Sequence, residues 1–123
     1  MPMRLRQILE DLVEGVPGAR AAVMADWDGE SVAAYTSGEQ TDYEIKVVGA
    51  HEGIILNLAR QLLKRLALGD AKEIAFLHEN FHVITAPINQ DYYLVLTLQA
   101  HTLPALAKPA LKNAVEKIIQ EIA

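Results

Sequence analysis

FHVITAPINQDYYLVLTLQ, residues 81–99, contains two apolar runs, FHVITAPI (81–88) and YYLVLTLQ (92–99), joined by Asn89, Gln90 and Asp91. Both are rich in β-branched and aromatic residues and are bounded by turn formers, which reads as two strands in a tight hairpin. An antiparallel strand with one wet face alternates apolar and polar residues. YYLVLTL has almost no polar face, and FHVITAPI is largely apolar at both parities. Such strands are covered on both sides, so helices are expected on both faces of their sheet.

Working outward from this hairpin, AKEIAFLH (71–78) reads as a third strand, turning back near Glu79-Asn80. Near the N-terminus, ARAAVMADW (19–27) and ESVAAYT (30–36) flank Asp28-Gly29, a strong hairpin signal. Residues 3–14 place Leu5, Ile8, Leu9, Leu12 and Val13 at helical spacing, and Gly15 with Pro17-Gly18 stops that helix. SGEQ is a loop. Thr41, with Glu44 three residues on, opens a long middle helix in a capping-box pattern. That helix runs to about Leu68 and ends at Gly69-Asp70. A last helix carries Leu111, Val115, Ile118 and Ile122 on one face, and Pro104 and Pro109 confine its clean part to the later residues. The order is α-β-β-α-β-β-β-α, an α/β three-layer sandwich. The middle helix is expected on one face and the terminal helices on the other.

Composition narrows the function. At 123 residues the chain has room for one domain and a real core. A net charge of −5 argues against a nucleic-acid binder, which normally carries a basic face. The absence of cysteine removes disulfides and zinc–thiolate sites. MPMRLRQILEDL breaks into acidic residues before any long apolar run, and no 18 apolar residues run together, so neither a signal peptide nor membrane insertion is expected. The reading is cytoplasmic.

The middle helix is unusually apolar. At about 100° per residue, Val48, Ile55, Ala59, Leu62 and Leu66 form one stripe, flanked by Ile45, Leu56 and Leu63 on one side and Val47, Ile54 and Leu58 on the other. The apolar arc spans roughly 200°, where packing on one sheet needs about 100° or somewhat more. Either neighbouring loops cover the excess or a second copy of the helix does, and the second reading is preferred. Gly49 and Gly53, four apart on one flank, would let that second helix approach closely; glycine costs about 1 kcal/mol relative to alanine in a helix and invites a reason. The expected dimer contacts are Val47, Gly49, Gly53, Ile54 and Leu58. Glu52 also falls inside the arc, either paired with a base or past the sheet edge. The polar remainder is Lys46, Ala50, Asn57, Arg60, Gln61 and Lys64, either a basic-leaning docking surface doubled in a dimer or an ordinary solvated face.

No catalytic constellation assembles. The cluster Asp26, Asp28 and Glu30 has its glycine two places too early for a calcium loop and lacks the distal glutamate, so it reads as a turn. His51-Glu52 begins like H-E-x-x-H, but position 55 is isoleucine. His78 and His82 flank a hairpin tip without a third ligand, and His101 stands apart. There is no phosphate-binding G-x-x-x-x-G-K-[ST] loop and no G-x-S-x-G elbow. Neither enzyme activity nor a cofactor is expected.

The helix ending in Val16-Pro17-Gly18-Ala19, the strand closing on Asp28-Gly29, the long amphipathic helix and AFLHENFHVITAPINQDYYLVLTL together resemble the Roadblock family, relatives of the dynein light chain of that name and of bacterial MglB-like proteins. The resemblance covers residues 1–123 as a single domain. It implies a profilin-like, five-stranded antiparallel sheet with the first and last helices on one side and the middle helix on the other. It further implies a homodimer formed through the middle helix and a sheet edge; the sequence leaves a heterodimer with a similar domain open. Such dimers regulate or anchor small Ras-like GTPases without a catalytic centre of their own. The GTPase-binding surface carried over is Lys46, Asn57, Arg60, Gln61 and Lys64. The alternatives are a scaffold without effect on GTP hydrolysis and, third, a small-molecule sensor or enzyme using a profilin-like pocket.

Overall fold

A computed structural model of the chain describes residues 2–37, 42–69 and 72–123. Its elements are α1 (Pro2–Gly15), β1 (Ala19–Asp26), β2 (Ser31–Thr36), α2 (Asp42–Arg65), β3 (Ile74–Leu77), β4 (Phe81–Pro87), β5 (Tyr92–Gln99) and α3 (Pro104–Ile122). The strands form one antiparallel sheet in the order β2-β1-β5-β4-β3. β5 is central, and both of its faces are dry. Leu94, Leu96 and Leu98 join the core beneath α1 and α3, while Tyr93 and Val95 join the core beneath α2. This period-two division is what its lack of a polar face implied.

α1 packs through Leu5, Ile8, Leu9, Leu12 and Val13, all buried, and each fully buried side chain of this size contributes about 1.5–3 kcal/mol. The chain then turns through Gly18 at φ +89°, where a side chain would run into the Thr102 hydroxyl. The β1–β2 connection is the expected turn. Asp26 Oδ1 accepts the N–H groups of Asp28 and Glu30 at 3.0 and 3.1 Å, and Gly29 N–H donates to the Asp26 carbonyl at 2.9 Å. Gly29 sits at φ +90°, a region closed to most side chains. The acidic cluster is thus held by its own backbone. Among the described residues no group of three or more histidine, aspartate or glutamate side chains is placed to hold a metal ion.

Three element boundaries differ from the sequence reading. α2 ends at Arg65 rather than about Leu68, because the chain already turns left-handed at Ala67, φ +55°, ahead of Gly69 at φ +89°. β3 is four residues, 74–77; of the expected 71–78 it leaves out residues 72, 73 and 78, while Ala71 lies outside the described residues, and Glu73 pairs with Lys108 of α3 at 2.8 Å. α3 runs unbroken from Pro104 through Pro109. Pro104 stands at the helix start, where its missing N–H is an orphan anyway. Pro109 deprives only the Ala105 carbonyl of a partner, and both residues are exposed, so water replaces the lost bond. The Thr41 cap and Asp70 lie outside the described residues. No helix among the described residues is long and apolar enough to cross a membrane.

Candidate protein interface

α2 meets the sheet through Leu56, 1% exposed, with Glu52, Gly49 and Gly53 on the same side. This corrects the expectation for the two glycines. A Cβ on Gly49 would lie 2.7 Å from a Val23 methyl, and one on Gly53 would overlap the Tyr93 phenol. They face the sheet and make room for Tyr93, whose hydroxyl donates to the Gly49 carbonyl at 2.7 Å. They are therefore no part of an outward helix contact. The apolar flank opposite is open: Ile54 and Leu58 are 61% and 60% exposed, and Ile55, Leu62 and Leu66 extend the row. The side chains of residues 42–47, Lys46 and Val47 among them, lie outside the described residues.

Glu52 lies inside the fold, near His78 and His51, rather than out in solvent. It is 6% exposed, and its Oε2 has no hydrogen-bond partner. Burial pushes its carboxyl above the usual carboxylate range, and the nearby His78 and His51 offset only part of that rise. Tyr93 is pushed up to about 12, first by burial and then by the negative charges of Asp26 and Glu52. It stays a neutral hydrogen-bond donor.

Beside the exposed apolar row, α2 and two turns enclose a groove of about 600 Å³. Asn57, Arg60, Gln61 and Lys64 line it from the helix, Trp27 from the β1–β2 turn and Gln90 from the β4–β5 turn. The structure thus brings together the four described polar residues singled out from the sequence, with one change. Arg60 is not a free ridge residue: its guanidinium carbon lies 4.4 Å from the centre of the Trp27 ring. Trp27 in turn packs on Tyr93, ring centres 5.0 Å apart. On the far side of Trp27, Asp26, Asp28 and Asp91 border an acidic notch of about 330 Å³ that shares Trp27 and Gln90 with the groove. Trp27 therefore stands between a basic wall and an acidic one.

Sequence reasoning missed Trp27 as part of this surface, having read it only as turn-flanking. The available signal was the placement of the chain's one tryptophan beside a turn, where small polar residues are the rule.

This architecture recurs in solved structures along nearly the whole chain. A Roadblock/LC7 domain from Streptomyces avermitilis superposes with a TM-score of 0.85 over 95% of this chain and 96% of its own, at 14% identity. The fold is that of the Roadblock/LC7 domain. An MglB in a tetrameric arrangement shares this Roadblock/LC7 fold at TM-score 0.85 and 18% identity, over 97% of this chain and 88% of that one. MglC from Myxococcus xanthus is 26% identical, with a TM-score of 0.72 over 97% of this chain and 99% of its own. No family model matches the sequence, and no curated protein matches it.

Proposed function

We propose that this chain is a non-catalytic regulator or adaptor of a small Ras-like GTPase, working as a homodimer through the outward face of α2. The observation that carries the reading is the pairing of two surfaces on one helix. An apolar row at Ile54, Ile55, Leu58, Leu62 and Leu66 suits self-association, and a polar groove around Arg60 and Lys64 lies beside it. Exposed contiguous apolar surface of this kind marks an interaction site. The likeness to an MglB solved as a tetramer supports self-association, and the Roadblock resemblance supplies the GTPase.

A regulator alters a GTPase only by binding one nucleotide state better than the other. The groove offers the means: Arg60 and Lys64 complement acidic groups, and the amides of Asn57, Gln61 and Gln90 add directional hydrogen bonds. Arg60 is held against Trp27, which suits it to positioning the partner rather than to entering a nucleotide pocket as an arginine finger. Any acceleration of hydrolysis then comes from reordering the GTPase's own residues.

Calorimetry with small Ras-like GTPases loaded with a non-hydrolysable GTP analogue tests this reading. Arg60→Glu with Lys64→Glu weakens binding, while the dimer persists and stability falls by no more than the cation–π contact is worth, about 0.5–1 kcal/mol. Arg60→Ala alone costs far less than the ~10³-fold expected for loss of a true finger. Unchanged affinity in the charge reversal removes the groove from the docking site. Binding with no change in hydrolysis rate converts the reading to a scaffold, for which the exposed apolar row alone would suffice.

A further inference from the structure

The opposite layer of the molecule carries a second groove, between α3 and the outer strands, independent of the surface proposed above. Its floor is apolar: Ala86 and Pro87 close β4, and Leu111 and Val115 line it from α3. Lys108, Leu111, Lys112 and Val115 recur at i, i+3, i+4 and i+7, so one stripe of α3 supplies both the apolar wall and two cations. The same spacing continues to Ile119, an exposed apolar residue. Lys72 stands on the other bank, in the segment leading into β3. The free volume is about 410 Å³.

Half of the six lysines in a chain of net charge −5 therefore border one apolar trough. Lys108 is neutralised across it by Glu73. Neither Lys72 nor Lys112 has an ion pair among the described residues. Lysine stems cover apolar surface well while their amines stay in water, so the rim keeps the trough soluble when empty and presents cations when filled.

We propose that this groove docks an acidic, leucine-bearing segment of another protein, laid as an amphipathic helix along α3. Leucines at helical spacing would fill the floor, and carboxylates on either side would meet Lys72 and Lys112. From Lys108 to Ile119 the stripe is about three helical turns long, which matches a helix of similar length. The trough is walled by α3 and the strand edge but open above. That suits a helix needing to bury only one face; a lone acyl chain would be left half in water.

The test uses the ¹⁵N-labelled full chain and, as probe, a peptide of about 14 residues with leucine at i, i+3, i+4 and i+7 and glutamate elsewhere. The expected result is a set of amide shifts at residues 72–73, 86, 108 and 110–119. Lys72→Glu with Lys112→Glu, which leaves the Lys108–Glu73 pair intact, weakens binding by about fivefold or more. Lys117→Glu, on the far side of α3, leaves it unchanged. Replacing the peptide's glutamates by lysine, or its leucines by serine, abolishes the shifts. Equal binding of the lysine peptide, or shifts confined to the exposed row of α2, overturns the proposal. So does a response of the groove to oleate or phosphatidylglycerol vesicles but not to the acidic peptide.

Discussion

Gly53→Ala tests the orientation of α2 in a single substitution. In an open helix interior the change is favourable by about 1 kcal/mol, because alanine restricts the unfolded chain and suits the helix. Here the new methyl would overlap the Tyr93 phenol, its Cε1 atom only 2.8 Å away. Tyr93 has little room to yield: it is 1% exposed, packs against Trp27 and is tied to the Gly49 carbonyl. Overpacking of this kind costs about 1–3 kcal/mol. Displacing the hydroxyl costs about 1 kcal/mol more for the lost hydrogen bond. The net expectation is destabilisation by about 1–3 kcal/mol, a fall of about 1 M in the urea midpoint for a domain of this size. Gly15→Ala is the control, since a Cβ there meets nothing within 4 Å and the midpoint should hold or rise. Both are read by circular dichroism at one fixed protein concentration, because association would shift the midpoint by mass action. Sizing chromatography should give the same elution volume for Gly53→Ala as for the unaltered chain. A midpoint equal to or above that of the unaltered chain refutes the Tyr93 contact. Later elution at unchanged protomer stability would return Gly53 to a helix–helix contact.

Glu52→Gln should stabilise at neutral pH. A carboxyl whose folded pKa is raised binds its proton more tightly when folded, so stability is present in acid and lost as pH climbs from about 4.5 through the raised value. Denaturation series across that range should show this fall in the unaltered chain and its absence in the variant; parallel profiles would contradict the burial argument. Ile54→Glu or Leu58→Glu should give monomer or insoluble protein if the outward face of α2 is self-associating, because an unpaired carboxylate buried there is costly. Light scattering that finds the unaltered chain monomeric at high micromolar concentration refutes that interface. Gly29→Val should destabilise by more than about 1 kcal/mol, since valine is strained at φ +90° and its Cβ would sit 3.3 Å from that of Ala50. Asp28→Asn should be nearly silent in the same unfolding assay, the turn being held by Asp26.

The three-layer arrangement was legible because strands apolar at both parities must be covered on both faces. β5 alone nearly decides it, with Leu94 and Leu96 beneath one layer and Tyr93 and Val95 beneath the other. The orientation of α2 was less legible for a physical reason. A helical wheel fixes angles between residues but not the angle of the whole helix to the sheet, and an arc of some 200° has two flanks of similar hydropathy. The flank that seats is the one bearing Leu56 and two glycines, and the cause of those glycines is Tyr93, forty residues further along the chain. Glu52 misled in the same way, because a carboxylate in an apolar arc suggests an edge and not the interior. The polar residues of the groove were found by their spacing on α2, whereas Trp27 and Gln90 enter from turns that no helical pattern connects to it.

The groove is assembled from pieces remote in sequence: Trp27 after β1, Arg60 and Lys64 on α2, and Gln90 before β5. An unfolded chain holds no such site, so whatever occupies the groove selects the folded form and raises its melting temperature by mass action. At a hundredfold excess over the dissociation constant the gain is about 2.7 kcal/mol. Occupancy thus becomes readable as heat resistance of the protein itself. A melting screen against loaded GTPases therefore tests the proposed partner without a hydrolysis assay.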